Sequence, residues 1–357
     1  MSLIFWISDE RLENLPDNLQ SLTLCEKFNQ KIENLPDCLQ NLSFGHFFNQ
    51  KLENLPHKLH NLTLGDKFNQ KLENLPDKLH NLTLGNNFNQ KLENLPHGLQ
   101  NLTLGFCFNK KLENIPSNLQ TLTLGFSFNR KLENLPDSLQ NLIFDCKFNR
   151  TLENLPNRLL SLTLGNEFNQ PLKNIPSSLQ SLTLGDQFNQ KLEYDCLPNG
   201  LLNLTFGHKF NQKLENLPNS LQKLTLGTNF NQKLINLPRN LRNLTLGGNF
   251  DKNLENLPGS LRKLTLRVGY SEICYNPTVL MQCKALPNLQ KIIVYYHNYK
   301  TVRHQMIIPS LPNTVIFLKT RDKHTNELIT VEKICESYEN LNIGAWKKKF
   351  MKTLLLH

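Results

Sequence analysis

The side chains able to do chemistry in this 357-residue chain are spread out by a repeat rather than gathered at one point. His60 and His80 occupy equivalent places in adjacent repeats, and His57 and His97 share a second place. Neighbouring imidazoles can share a metal ion, but solvated histidines are the preferred reading, and no metal site is expected. The eight cysteines, Cys25, Cys38, Cys107, Cys146, Cys196, Cys274, Cys283 and Cys335, include no C-x-x-C pair and no metal-framework spacing. They read as reduced thiols of an intracellular protein; a disulfide between Cys274 and Cys283 in a terminal cap is the alternative. The glutamates recur as ladders, so no pair stands out as an acid/base couple. No phosphate loop, metalloprotease motif or nucleophile elbow occurs. Catalysis needs an asymmetric constellation, which uniform repeats do not supply. The expectation is a protein that is not an enzyme and takes no cofactor.

The elements that carry these side chains follow from the period. Phe recurs every twenty residues from Phe28 to Phe188 and, after a two-residue insertion around Tyr194-Asp195-Cys196, at Phe210, Phe230 and Phe250. The unit reads F-N-Q-K-L-E-N-L-P-x-x-L-Q-x-L-T-L-G-x-x, and a partial copy opens at Leu12. Its heart is L-x-x-L-x-L, as in Leu79 to Leu84, the strand signature of leucine-rich repeats. Period-2 alternation turns Leu82 and Leu84 inward and Thr83 outward. Gly85 is expected to supply conformational freedom for a sharp turn, and Phe88, Leu92 and Leu95 to fold back as inward anchors. Pro96 fixes backbone where no ladder bond is wanted. Twenty residues leave no room for a return helix, so extended or polyproline-like arcs are predicted. One unit alone cannot bury enough apolar surface to offset its ordering entropy, so the copies must stack. The predicted fold is a mainly β repeat solenoid, a parallel β-sheet column of about thirteen rungs over residues 12–270. A short lead, 1–11, would precede it, and degenerate repeats with a mixed α/β cap, 271–357, would follow. The Asn after each Phe, including Asn69, Asn89, Asn109 and Asn129, is predicted to form a structural amide ladder that satisfies turn backbone.

Bulk composition narrows the function classes. The only alanines are Ala285 and Ala345, which argues against a helix-rich chain. The net charge is +10; residues 1–269 carry 28 basic against 24 acidic groups, and residues 270–357 carry 12 against 6. The excess favours weak attraction to acidic partners without itself indicating nucleic acid. No segment is long and apolar enough to span a membrane, and Leu3 to Ile7 is too short for a signal-peptide core. Asn41, Asn61, Asn81, Asn101, Asn203 and Asn243 begin N-x-S/T sequons at one repeat position inside the expected strands. Glycans there would crowd one face, so the sequons read as accidents of the repeat and the protein as intracellular, cytoplasmic rather than secreted.

The repeated phrase Phe-Asn-Gln-Lys-Leu-Glu-Asn-Leu-Pro, joined to Leu-Thr-Leu-Gly, resembles the FNIP-repeat family, a leucine-rich-repeat relative of social amoebae and of giant viruses that infect amoebae. Phe168-Asn169-Gln170-Pro171-Leu172, followed by Ile175-Pro176, is especially close. The resemblance covers about residues 8–270 and implies a parallel β-solenoid with an interaction role. Family repeats are often about 22 residues; these are 20. Some relatives carry an N-terminal F-box, which links them to ubiquitin ligases; about ten residues precede the repeats here, too few for one.

Two stretches remain. Leu286 to Val294 and Leu311 to Leu318 look like degraded rungs. Glu327 to Tyr338 and Ala345 to Leu356 are read as helices, the second presenting Trp346, Phe350 and Leu354 on one face with Lys347, Lys348, Lys349 and Lys352 around it. A capping helix is the first reading of it and a basic membrane-surface or partner-binding helix the second. Within the repeats the strand face is monotonous, with Thr at all central positions but Ser43 and Ile143. A partner site belongs where rungs vary: the two residues before each Phe and the two after each Pro. Phe47, Phe106 and Phe126 fall before the repeat Phe. They are candidate partner anchors, or else rings packed on the adjacent turn. The expectation is a monomeric protein-interaction scaffold with a protein partner. A ubiquitin-ligase substrate adaptor comes second, and nucleic-acid binding through the basic tail third; the repeat face lacks Arg–aromatic interleaving, which disfavours nucleic acid.

Overall fold

The computed structural model describes residues 2–5, 15–268, 286–296, 315–321 and 328–333, which fall in two compact units, residues 1–185 and 186–357. The first unit holds ten strands: β1 (Ser2–Phe5), β2 (Ser21–Leu24), β3 (Asn41–Ser43), β4 (Asn61–Thr63), β5 (Asn81–Thr83), β6 (Asn101–Leu104), β7 (Thr121–Leu124), β8 (Asn141–Phe144), β9 (Ser161–Thr163) and β10 (Ser181–Thr183). Each pairs in parallel with the next, so that Asn61 lies opposite Asn81, Leu62 opposite Leu82 and Thr63 opposite Thr83. Identical rungs therefore place identical side chains side by side, which is the physical origin of every ladder below.

The second unit repeats the scheme in β11 (Asn203–Thr205), β12 (Lys223–Thr225), β13 (Asn243–Leu246), β14 (Lys263–Val268), β15 (Lys291–Tyr296) and β16 (Val315–Arg321), all parallel. β17 (Leu328–Lys333) closes antiparallel on β16. Each unit is thus a parallel β-solenoid of leucine-rich-repeat type, and no helix occurs among the described residues. The helix expected from Glu327 is corrected: its first half is β17. Leu-Ile-Thr-Val is rich in β-branched residues, stiff at χ1 and suited to a pleated surface, and the edge of β16 offers it ladder bonds. The remainder of that stretch, the helix expected at Ala345–Leu356, and Cys274, Cys283 and Cys335 lie outside the described residues.

The inward column is apolar at every rung. Leu122, Leu124 and Leu119 have no measurable exposure, and Thr121 and Thr123 on the opposite face are half-buried. The repeat phenylalanines stack rung on rung, with Phe48 to Phe68, Phe68 to Phe88, Phe88 to Phe108 and Phe108 to Phe128 at 6.1–6.2 Å between centroids. Where Phe replaces the last strand Leu, at Phe44 and Phe144, the new ring stacks on Phe48 and Phe148 at 3.9 Å. Burying each Leu or Phe is worth roughly 1.5–3 kcal/mol.

Two conformational devices shape the return arc. A turn follows Pro: Leu99 N–H donates to Pro96 O (3.1 Å), and the same bond recurs at Leu79–Pro76 and Leu119–Pro116. Two residues before Pro, the asparagine of Glu-Asn-Leu-Pro adopts a left-handed conformation, as at Asn74 (φ 57°), Asn94 (φ 57°) and Asn114 (φ 56°). Asn tolerates that region better than other non-glycine residues. The repeat glycine acts differently from expectation. No described glycine has positive φ. A Cβ on Gly85 would instead lie 2.1 Å from the carbonyl oxygen of Gly65, and one on Gly105 2.3 Å from that of Gly85. Glycine is needed because backbones approach closely from rung to rung, not because the turn demands an unusual φ.

Candidate partner-binding surface

The surface is built on the turn that follows each strand. In it the Phe N–H returns to the Gly carbonyl, as in Phe88–Gly85 (3.2 Å) and Phe128–Gly125 (3.2 Å). The residue before Phe donates across to the preceding rung: Cys107 N–H to Asn86 O (2.7 Å), Ser127 N–H to Phe106 O (2.9 Å), Lys147 N–H to Phe126 O (2.9 Å). The loops therefore carry a ladder of their own, and a side chain mounted on them starts from fixed backbone.

Phe106 and Phe126 sit on this ladder and are brought together. Their rings stack at 4.4 Å with an interplanar angle of 5°. Phe106 is 46% exposed and Phe126 half-buried. Lys147 Nζ, from the next rung, lies 5.3 Å from the Phe126 centroid, within cation–π range. Phe47 is 45% exposed but stands apart from this pair, edge-on to His46 at 4.7 Å. His46 in turn meets Asp66 through Nδ1 at 2.9 Å.

A second ladder fixes the turn from below. Asn69 N–H donates to Asn49 Oδ1 (2.9 Å), Asn89 to Asn69 (2.9 Å), Asn109 to Asn89 (3.0 Å) and Asn129 to Asn109 (3.1 Å). The Gln beside each Asn adds a bond: Gln70 Nε2 and Gln90 Nε2 donate to Asn49 O (3.1 Å) and Asn69 O (3.0 Å). In three consecutive rungs the Gln is replaced by Lys110, Arg130 and Arg150. Arg130 Nε keeps the bond, to Asn109 O (3.0 Å), and so does Arg150 Nε, to Asn129 O (3.2 Å). All three residues are exposed. These cations escaped the sequence-based candidate set, although the departure from Gln in the two rungs of Phe106 and Phe126 and in the next one was visible there.

A third ladder runs on the outer strand face, also unforeseen. Asn41 Nδ2 donates to Ser21 Oγ (2.8 Å), Asn61 to Asn41 Oδ1, Asn81 to Asn61 Oδ1, and Asn101 to Asn81 Oδ1 (2.6 Å). The sequon asparagines Asn41, Asn61, Asn81 and Asn101 are thus engaged with one another.

His60 and His80 lie with ring centroids 5.2 Å apart, whereas His57 and His97 are exposed and separated by the rung that carries Asp77. Among the described residues no group of three or more His, Cys, Asp or Glu could hold a metal ion, and no helix is long and apolar enough to cross a membrane. Lys191 with Glu193 and Lys213 with Glu215 form exposed pairs at 3.7 Å, which contribute little stability. Burial pushes the Cys196 thiol above its ordinary pKa, a direction that makes it a poorer nucleophile at neutral pH.

The chain matches the model of the FNIP Repeat without a gap from residue 28 to residue 267, in successive abutting or overlapping copies at 28–67, 48–85, 68–107, 108–147, 148–187, 168–209, 188–229, 210–236 and 230–267. Among solved structures it is similar to CroV588, a circular leucine-rich-repeat protein of the giant virus CroV, at 32% identity and a TM-score of 0.57. That match covers 89% of this chain, which spans 58% of the length of CroV588. YopM from Yersinia enterocolitica also matches, at 22% identity and a TM-score of 0.47, over 79% of this chain and 75% of YopM. No curated protein matches the chain.

Proposed function

The chain belongs to the FNIP-repeat family, and from that premise we propose that it is a non-catalytic scaffold that binds a protein partner through the turns bearing Phe106 and Phe126. Leucine-rich-repeat solenoids commonly serve as interaction scaffolds, because stacked rungs present extended surfaces. The observation that carries the reading is the stacked Phe pair on hydrogen-bonded loops, with Phe106 exposed and Phe126 half-buried. Stacking does not require it, since equivalent rungs place Asp66 and Asn86 there. An apolar pair held in place pays little ordering entropy on binding, as partner anchors do. The cellular setting proposed is intracellular. A glycan on Asn61 or Asn81 would break the strand-face ladder, and Cys38, Cys107 and Cys196 are free thiols. We assign residues 271–357 as degenerate repeats and a cap, and the protein as a monomer.

The test is the double substitution Phe106→Ser and Phe126→Ser in the full chain expressed in its native cell. Crosslinking and mass spectrometry of wild type and variant are expected to show loss of a specific protein set, with unchanged circular dichroism. An identical partner set, or loss of the β signal, contradicts the reading.

A further inference from the structure

The charge around the Phe pair says what kind of partner it takes. The turns at 105–111, 125–131 and 145–150 carry six cations, Lys110, Lys111, Arg130, Lys131, Lys147 and Arg150, against Asp145 alone. Lys111 and Lys131 belong to a row present in most rungs. Lys110, Arg130 and Arg150 do not: they replace Gln, the first two in the rungs of Phe106 and Phe126 and the third in the rung that follows. The Gln of other rungs already makes the structural bond to the Asn carbonyl (Gln50 to Asn29 O, 3.0 Å; Gln90 to Asn69 O, 3.0 Å). Arg130 and Arg150 preserve that bond through Nε alone, which leaves the outer part of each planar fork at the exposed surface. Stacking therefore gains nothing from the added charge, and its use lies outside the solenoid.

The ring geometry separates two anionic partner classes. Nucleobases bind by stacking on open aromatic faces along a basic track. Here one face of each ring is occupied by the other ring, and Lys147 Nζ lies over Phe126, so no run of open faces remains. What the pair presents is the exposed part of Phe106, a surface for an aliphatic or aromatic side chain. The arginine forks on these consecutive turns match carboxylates in bidentate geometry. We propose that this patch binds an extended acidic segment of a protein partner, with an apolar anchor residue against Phe106 and Phe126 and carboxylates on Lys110, Arg130 and Arg150. This deepens the scaffold reading and rests on it.

The experiment titrates the purified full chain with labelled peptides. The probe alternates Glu with Leu; one control replaces its Glu with Gln, another its Leu with Ser, and a single-stranded oligonucleotide is the nucleic-acid arm. The protein variants are Lys110→Gln/Arg130→Gln/Arg150→Gln and Phe106→Asn/Phe126→Asn, each restoring residues that other rungs carry. The acidic probe is expected to bind best, to weaken roughly tenfold in either variant, and to weaken with added salt. Equal binding of the Glu and Gln probes by wild type overturns the proposal, and that comparison needs no variant to fold. So does binding that the Gln triple variant leaves unchanged, or an oligonucleotide that binds more tightly than the probe. Such a failure, with the cellular partner set still dependent on Phe106 and Phe126, removes this inference alone; failure of both removes the scaffold reading as well.

Discussion

Within one rung, Asn81, Asn89 and Asn94 are the same residue type under three different constraints. Asn81 links strands through its side-chain amide, Asn89 accepts the Asn109 N–H, and Asn94 holds a φ of 57°. Only the second use was legible in the sequence as a ladder position, because an amide kept beside Phe at a turn suggests backbone satisfaction. The third needed the observation that the Asn of Glu-Asn-Leu-Pro is just as constant, and that Asn is the residue that stands in for Gly at left-handed positions. The strand asparagines were obscured by their own neighbours, since N-L-T also spells a sequon. Asn94→Gly is expected to leave stability nearly unchanged, whereas Asn94→Ala should cost about 1–2 kcal/mol, read as a shift in the urea midpoint. Equal midpoints for the two variants would refute a conformational role for this Asn.

At the scale of the element, the rung is set by close approach. The period of twenty and the L-x-x-L-x-L core specify strand, register and inward face, which is why Leu62 pairs with Leu82 as the pattern requires. The reason for the glycine was not legible, because the carbonyl it must admit belongs to another rung. Gly85→Ala should destabilise by roughly 1–3 kcal/mol through overpacking against Gly65 O, measured as a lower Tm; an unchanged Tm would show that the backbones part freely. One rung indicates how the chain adapts when the glycine is lost. Asp145 takes its place, the turn becomes a bend, and Asp145 N–H donates to Leu124 O at 2.9 Å. β17 shows the limit of periodic reasoning beyond the repeats: a polar-flanked Leu-Ile-Thr-Val reads equally as half a helix until the edge of β16 is known to lie beside it.

For the whole molecule, uniformity makes the fold legible and the function hard to read. A repeat that returns the same Leu, Phe and Asn records the requirements of stacking. Only departures from it, such as Phe106, Phe126, Lys110, Arg130 and Arg150, carry information about anything else. The sequence displayed the aromatic departures and the cationic ones separately; parallel pairing puts consecutive turns side by side, so that like departures in neighbouring rungs meet. The most direct test is hydrogen–deuterium exchange of the full chain with and without a crosslink-identified partner. Protection is predicted to concentrate in residues 105–111, 125–131 and 145–150. Protection confined to the strand face, or to residues 186–357, would contradict the account.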